Sequence, residues 1–174
     1  MGSMVDEIED PRRTDAPYLA GERESLEAWL EWHRVTLLIK CEGLSETDRK
    51  SRPVSTSLLS LHGLVRHMAE VEMGWFQRCI GGRDVAFLYV TDEHPDGELE
   101  LLDDADWDTD LATWQAMCEE SRRVAAALDL DDTGQRRGQA VSLRWVYNHM
   151  IEEYARHNGH ADLIREMVDG SVGD

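Results

Sequence analysis

One long amphipathic stretch near the end of the chain restricts the fold most: Trp145 to Glu166, WVYNHMIEEYARHNGHADLIRE. Apolar residues recur along it at helical spacing, so it must bury one face against other elements. Residues four apart on an α-helix point the same way from successive turns. At about 100° per residue, Val146, Met150, Ile164, Glu153 and His157 fall within one narrow arc. That phase puts a carboxylate and an imidazole in the middle of the buried stripe. An uncompensated buried carboxylate is costly, so it needs a partner. Glu153 and His157 can pair with each other or with an Arg from another helix, or both can ligate a divalent cation. His149 and His160 bracket them.

Three further segments carry the same periodicity. Helix A runs from about Leu19 to Cys41, with Leu26, Trp29, Leu30, His33, Leu37 and Leu38 in phase and Gly43 just after it. Ser45 followed by Asp48 caps a short turn that Pro53 ends. Helix B spans Ser57 or Ser60 to Ile80, with a stripe of Leu61, Leu64, Met68, Val71, Trp75 and Cys79, and Gly81-Gly82 stop it. Helix C covers about Thr109 to Leu128, with Leu111, Trp114, Cys118, Val124 or Ala125 and Leu128 inward. Helix D opens at Ser142, a plausible N-cap, and ends by Gly170. Four helices of roughly twenty residues and no convincing strand set predict an all-α four-helix bundle.

The domain is expected over residues 18–170. A loose polar leader, 1–17, precedes it, containing Pro11 and Pro17 and opening on MGSM, which reads as a cloning remnant. The connection from B to C is far longer than an antiparallel pair needs, so it can cross the molecule and leave B and C parallel. Within it Val85 to Val90 has extended character. Thr91 to Asp110 then holds ten Asp or Glu and no Lys or Arg. This reads as a solvated acidic loop, because its spacing does not match a helix-flanked calcium loop. Asp129 to Gly138 reads as a polar turn.

At 174 residues the chain can bury a core without disulfides. Its 36 acidic against 18 basic residues, a net charge of -18, argue against nucleic acid or an anionic membrane as partner. There is no secretory signal, and no apolar run approaches the ~18 residues of a membrane span. Cys41, Cys79 and Cys118 are odd in number and far apart, which suggests reduced thiols in the cytoplasm, each a small core residue.

A metal would need a third ligand. His62 falls well over 100° from the centre of helix B's apolar arc and is expected to face solvent. His67 lies on the flank of that arc, between Leu64 and Val71. It is either a hydrogen-bonded core imidazole or the third ligand. With Glu153 and His157 it makes a two-histidine, one-carboxylate set that leaves positions open for water or substrate.

Together the segments LVRHMAEVEMGWF (Leu64 to Phe76) and HMIEEYARHNGHADLIRE (His149 to Glu166) resemble the DinB/YfiT-like superfamily, most of all its actinobacterial mini-circle branch. The resemblance extends from helix A to the end of helix D. It implies an up-down-down-up bundle with a long crossover between the second and third helices, and a metal held by His67, Glu153 and His157. Many DinB-like proteins use three histidines. Here Glu153 stands where the first histidine of the helix D pair would be, and His157 is followed by Asn158-Gly159. The mycothiol-dependent maleylpyruvate isomerase branch is similar in using a Glu there. The implied activity is a metal-dependent transferase that activates a low-molecular-weight thiol such as mycothiol for attack on an electrophile. Zn²⁺ suits the set best, with Ni, Mn or Fe as alternatives. In that reading His160 is a catalytic acid–base residue and His149 lines the pocket of the thiol cosubstrate. The partners are then the small-molecule thiol and its electrophile, and the protein a cytoplasmic monomer or homodimer. A metal-dependent hydrolase and a non-catalytic metal- or small-molecule-binding bundle are the competing expectations.

Overall fold

The computed structural model describes residues 10–173. Helix α1 (Glu22–Cys41) starts three residues later than expected and is followed by the short α2 (Glu46–Lys50). Ser45 caps α2, its hydroxyl accepting from the Asp48 N–H at 3.2 Å. Helix α3 (Leu61–Glu72) is capped by Ser60, and it continues as a π-helical segment, Met73–Ile80. A four-residue turn of helix, α4 (Gly97–Glu100), lies in the crossover. Helix α5 (Trp107–Ala126) is capped by Asp106, and strands β1 (Thr133–Arg136) and β2 (Gln139–Ser142) form a hairpin. Helix α6 (Leu143–Asp169) begins at the expected cap, the Ser142 hydroxyl accepting from Trp145 N–H at 3.2 Å, and stops at Gly170.

The protein is therefore mostly helical, with one small two-stranded sheet among the described residues. Cross-helix pairs fix the directions. Glu22 meets Arg144, His33 meets Asn158 and Lys40 meets Asp162, so α1 and α6 run parallel. His62 meets Asp110 and Glu72 meets Cys118, so α3 and α5 also run parallel. Trp75 meets His149 and His67 meets His157, so α3 and α6 are antiparallel. The long segment after α3 does cross the molecule.

The core gathers Leu30, Leu37, Leu61, Leu64, Met68, Phe76, Leu143 and Met150, all essentially inaccessible. A polar network runs through its centre. Arg34 donates to both oxygens of Glu72 at 2.8 and 2.7 Å, the Tyr154 hydroxyl donates to Glu72 at 2.8 Å, and the Trp114 indole N–H donates to Tyr154 at 2.9 Å. A buried ion pair of this kind adds little net stability but is expensive to break from one side.

Four expectations change. Residues 133–142, within and beyond the expected polar turn, form the hairpin, its tight turn carried by Arg137 and Gly138 at φ 51° and 79°. The hairpin docks on the end of the π-helical segment so closely that a Cβ on Gly134 would lie 2.0 Å from the Cys79 carbonyl oxygen. His62 is fully buried rather than solvent-facing, because its Nε2 hydrogen-bonds Asp110 at 2.8 Å and its ring packs on Trp107. Val85 to Val90 takes no regular strand. The acidic segment is solvated only in part, since Glu98 and Asp110 are buried.

Of the expected leader, residues 1–9 lie outside the described residues. Residues 10–16 lie against α1: Arg12 pairs with Glu42, Arg13 stacks on Trp32 at 4.8 Å, and Ala16 is buried.

Candidate metal centre

Where α3 and α6 pass antiparallel, His67 faces His157 with ring centroids 4.7 Å apart. One ligand atom from each of His67, Glu153 and His157 lies within 4.8 Å of the others. Ligands about 2.0–2.2 Å from a tetrahedral ion stand somewhat closer together than that, so a small side-chain adjustment closes the set. The chemistry of the donors, two imidazoles and one carboxylate, also fits a divalent ion.

The pair does not occupy the middle of the buried stripe, as its helical phase suggested. Met150, Tyr154 and Ala161 do, each with no exposed surface. The two tyrosines, Tyr147 and Tyr154, pack inward and rotate the buried arc, which leaves Glu153 and His157 on its edge with side chains 16% and 12% exposed. That position is better for chemistry, because a ligand on the edge can be reached by substrate. Glu153 lies 3.5 Å from His157 Nε2 and 3.2 Å from His149 Nε2. The hydrogen bond with His157 holds the Glu153 carboxyl below its ordinary range against the opposing effect of burial.

Behind His67 stands a residue that sequence reasoning missed. Glu98, on α4, places Oε1 3.1 Å from His67 Nδ1, while its other oxygen is buried without a partner. A carboxylate on Nδ1 fixes the imidazole's tautomer and turns Nε2 outward as a ligand atom. Burial pushes the Glu98 carboxyl up, but the His67 hydrogen bond and the Arg66 charge bring it below the ordinary value. Glu98 is held in place because Arg66 donates to its backbone carbonyl at 3.1 Å.

The remaining histidines divide by position. His160 Nδ1 lies 3.4 Å from His157 Nδ1. Burial, with the nearby His157 and Arg156, lowers the His160 pKa, so the ring is neutral at neutral pH. His149 packs against both Trp75 and Trp145, centroids 4.5 and 4.9 Å away, and forms with Glu152 and Glu153 a second, more exposed cluster of donors.

All three cysteines are buried, and none belongs to either cluster. Burial pushes Cys41 up to about 12 and raises Cys79 and Cys118 as well. No helix among the described residues is long and apolar enough to cross a membrane.

A mostly helical protein with two imidazoles and one carboxylate converging from two helices, edge-exposed and backed by a buried acid, has the donor arrangement of an open metal site. Its family is more specific than that class. The model of the mycothiol-S-transferase family matches residues 25–170, and the chain belongs to that family. No curated protein matches it.

Proposed function

We propose that this protein is a metal-dependent S-transferase that joins mycothiol, or a closely similar low-molecular-weight thiol, to an electrophilic small molecule. The convergence of His67, Glu153 and His157 with Glu98 behind His67 carries the reading. These three side chains would hold the ion, Zn²⁺ by preference, with Ni²⁺, Mn²⁺ and Fe²⁺ compatible with the same donors. A divalent ion held there would supply the positive charge that favours thiolate over thiol at neutral pH. His160, neutral and next to His157, accepts the thiol proton as a catalytic base. His149 walls the thiol's pocket. A C–S bond forms to the electrophile as its leaving group departs with the bonding pair.

The same reading takes the helices as a DinB-like four-helix bundle, up-down-down-up, with one domain over residues 18–170 against which residues 10–16 of the 1–17 leader pack. It places the protein in the cytoplasm as a monomer or homodimer, with small molecules as partners. The net charge of -18 supports the exclusion of nucleic acid and anionic membrane.

The test uses protein purified without chelator. About one divalent ion per chain is expected, together with a mycothiol conjugate that chelation abolishes. Activity should survive simultaneous replacement of Cys41, Cys79 and Cys118, whose thiols the mechanism does not use. No metal and no uptake on reconstitution overturns the site. Loss of turnover in a folded, metal-loaded triple variant moves the nucleophile to a protein cysteine.

A further inference from the structure

With 36 acidic against 18 basic side chains, an arginine in this chain is seldom far from a carboxylate. Arg34, Arg66, Arg122 and Arg144 each pair with one. Arg78, Arg136 and Arg137 depart from that pattern, as do Arg49 and Arg52 elsewhere, which donate to backbone carbonyls. Arg78 lies over the Phe87 ring and donates to the Val85 carbonyl, and Arg136 lies over the Trp75 ring at 4.9 Å. No ion pair joins these three to an acid among the described residues. With Arg83, which pairs with Glu120, they line one cavity of about 220 Å³ between the π-helical segment and the hairpin. Converging guanidinium groups repel unless an anion sits among them. A guanidinium stacked on an indole keeps its in-plane N–H groups available for a bidentate carboxylate.

A second cavity, of about 380 Å³, shares Arg136 with the first. Trp75 and Trp145 wall one side of it and β2 the other. Both indoles contact the His149 ring, and His149 reaches Glu153 at 3.2 Å. The cationic pocket thus adjoins the tryptophan-walled cavity through Arg136, and His149 links that cavity to the candidate metal centre on α6. At 1.5 Å per residue, Trp145 stands about 12 Å along the helix axis from Glu153 and about 18 Å from His157. An elongated flat molecule with an anionic end matches that sequence of surfaces.

We propose that the tryptophan-walled cavity and the arginine cluster bind the electrophile, and that this substrate is a flat, unsaturated carboxylate whose acid group pairs with Arg136. The assignment rests on the thiol-transfer reading above for its chemistry, but its binding can be measured without it. A suitable probe is 4-chloro-3-nitrocinnamate, with its neutral primary amide as control. In turnover the thiolate sulfur bonds to the chlorine-bearing carbon and chloride leaves with the electron pair. The thiol's proton goes to His160 and then to solvent.

Binding to the metal-loaded protein without thiol is read from tryptophan fluorescence. The acid is expected to bind at least about tenfold more tightly than the amide, the scale of one charge-assisted pair. Arg136→Gln should abolish that preference, the acid and the amide then binding with equal affinity. If Arg136→Gln loses its helical dichroism, Arg137→Gln on the exposed turn replaces it, and the preference should fall severalfold. Equal affinity for acid and amide, or a preference intact in the folded variant, overturns the assignment. Selective acid binding without conjugate formation when mycothiol is added keeps this site and overturns the transferase reading. Conjugation with no preference for the acid does the reverse.

Discussion

The roles proposed for two histidines three residues apart on α6 differ because the helix gives them different reach. His157 stands one turn from Glu153, and His160 stands about two turns, or ~10 Å, along the axis. Replacing His157 with Ala is expected to remove most Zn²⁺ affinity in a titration. His160→Ala should keep the metal and lose turnover. Full metal binding in the first variant with loss in the second would show the ligand register to be wrong. Glu98→Ala tests the support behind His67: metal affinity is expected to fall about 10- to 100-fold with helical dichroism unchanged. Glu72 answers to stability instead. Glu72→Ala leaves the buried Arg34 guanidinium with only Glu31 and the Tyr154 hydroxyl without its acceptor, so denaturant unfolding should register a loss of about 3 kcal/mol. The spacing of Glu153 and His157 was legible because residues four apart on a helix are neighbours, but their helical phase put them too deep, and only the resemblance joined His67 to them. Glu98 was not, because it is one carboxylate among ten and its burial depends on a tertiary contact with α3. Arg34 and Glu72 were hidden for the same reason, each being an ordinary surface residue by type.

Among the elements, the crossover has the least regular structure and the most specific anchoring. Asp110 on α5 accepts from His62 at 2.8 Å, from Arg66 at 3.0 Å and from the Tyr89 hydroxyl at 2.9 Å. Glu70 on α3 accepts from the backbone N–H groups of Tyr89 and Val90. These bonds hold residues 89–98 against α3 and so set Glu98 behind His67. Asp110→Ala should therefore loosen the crossover before the helices. Faster amide exchange over residues 85–105 and weaker Zn²⁺ binding are expected together. Weaker binding with unchanged exchange would separate the two and disprove the linkage. Helix caps at Ser45 and Ser142 could be read directly, since a cap is a local hydrogen bond between residues three apart. The hairpin could not. Its strands are four residues each, and Gly134 is required by a contact with Cys79 from a distant element.

For the molecule as a whole, acid is the informative perturbation. Burial pushes Asp110 up, but hydrogen bonds from His62 and Tyr89 and the charge of Arg66 bring it below its ordinary value. Glu31 behaves alike, burial being outweighed by Arg122 and Arg34. A carboxyl with a lowered folded pKa stabilises the fold above its unfolded value, and that stabilisation disappears as pH falls through the folded one. Protonating exposed carboxylates relieves the repulsion of the -18 charge and acts the other way, but high salt screens that repulsion. In 1 M salt the urea midpoint should hold from pH 8 to about 5 and fall below about pH 4. A midpoint that rises on acidification contradicts these ion pairs. Loop length only allowed the parallel course of α3 and α5, because a long connection permits what a tight turn forbids; the DinB-like resemblance implied it. The path of residues 10–16 back along α1 carries a further topological result. Parallel α1 and α6 would leave their outer ends at opposite poles, yet Asp10 and Arg13 line one 220 Å³ cavity with Ser171 and Val172. The order of the helices in the gene is thus separable from their order in space. A circular permutant joining residues 10 and 173 through a short linker and opened at the exposed Ser55–Thr56 turn should assemble the same centre.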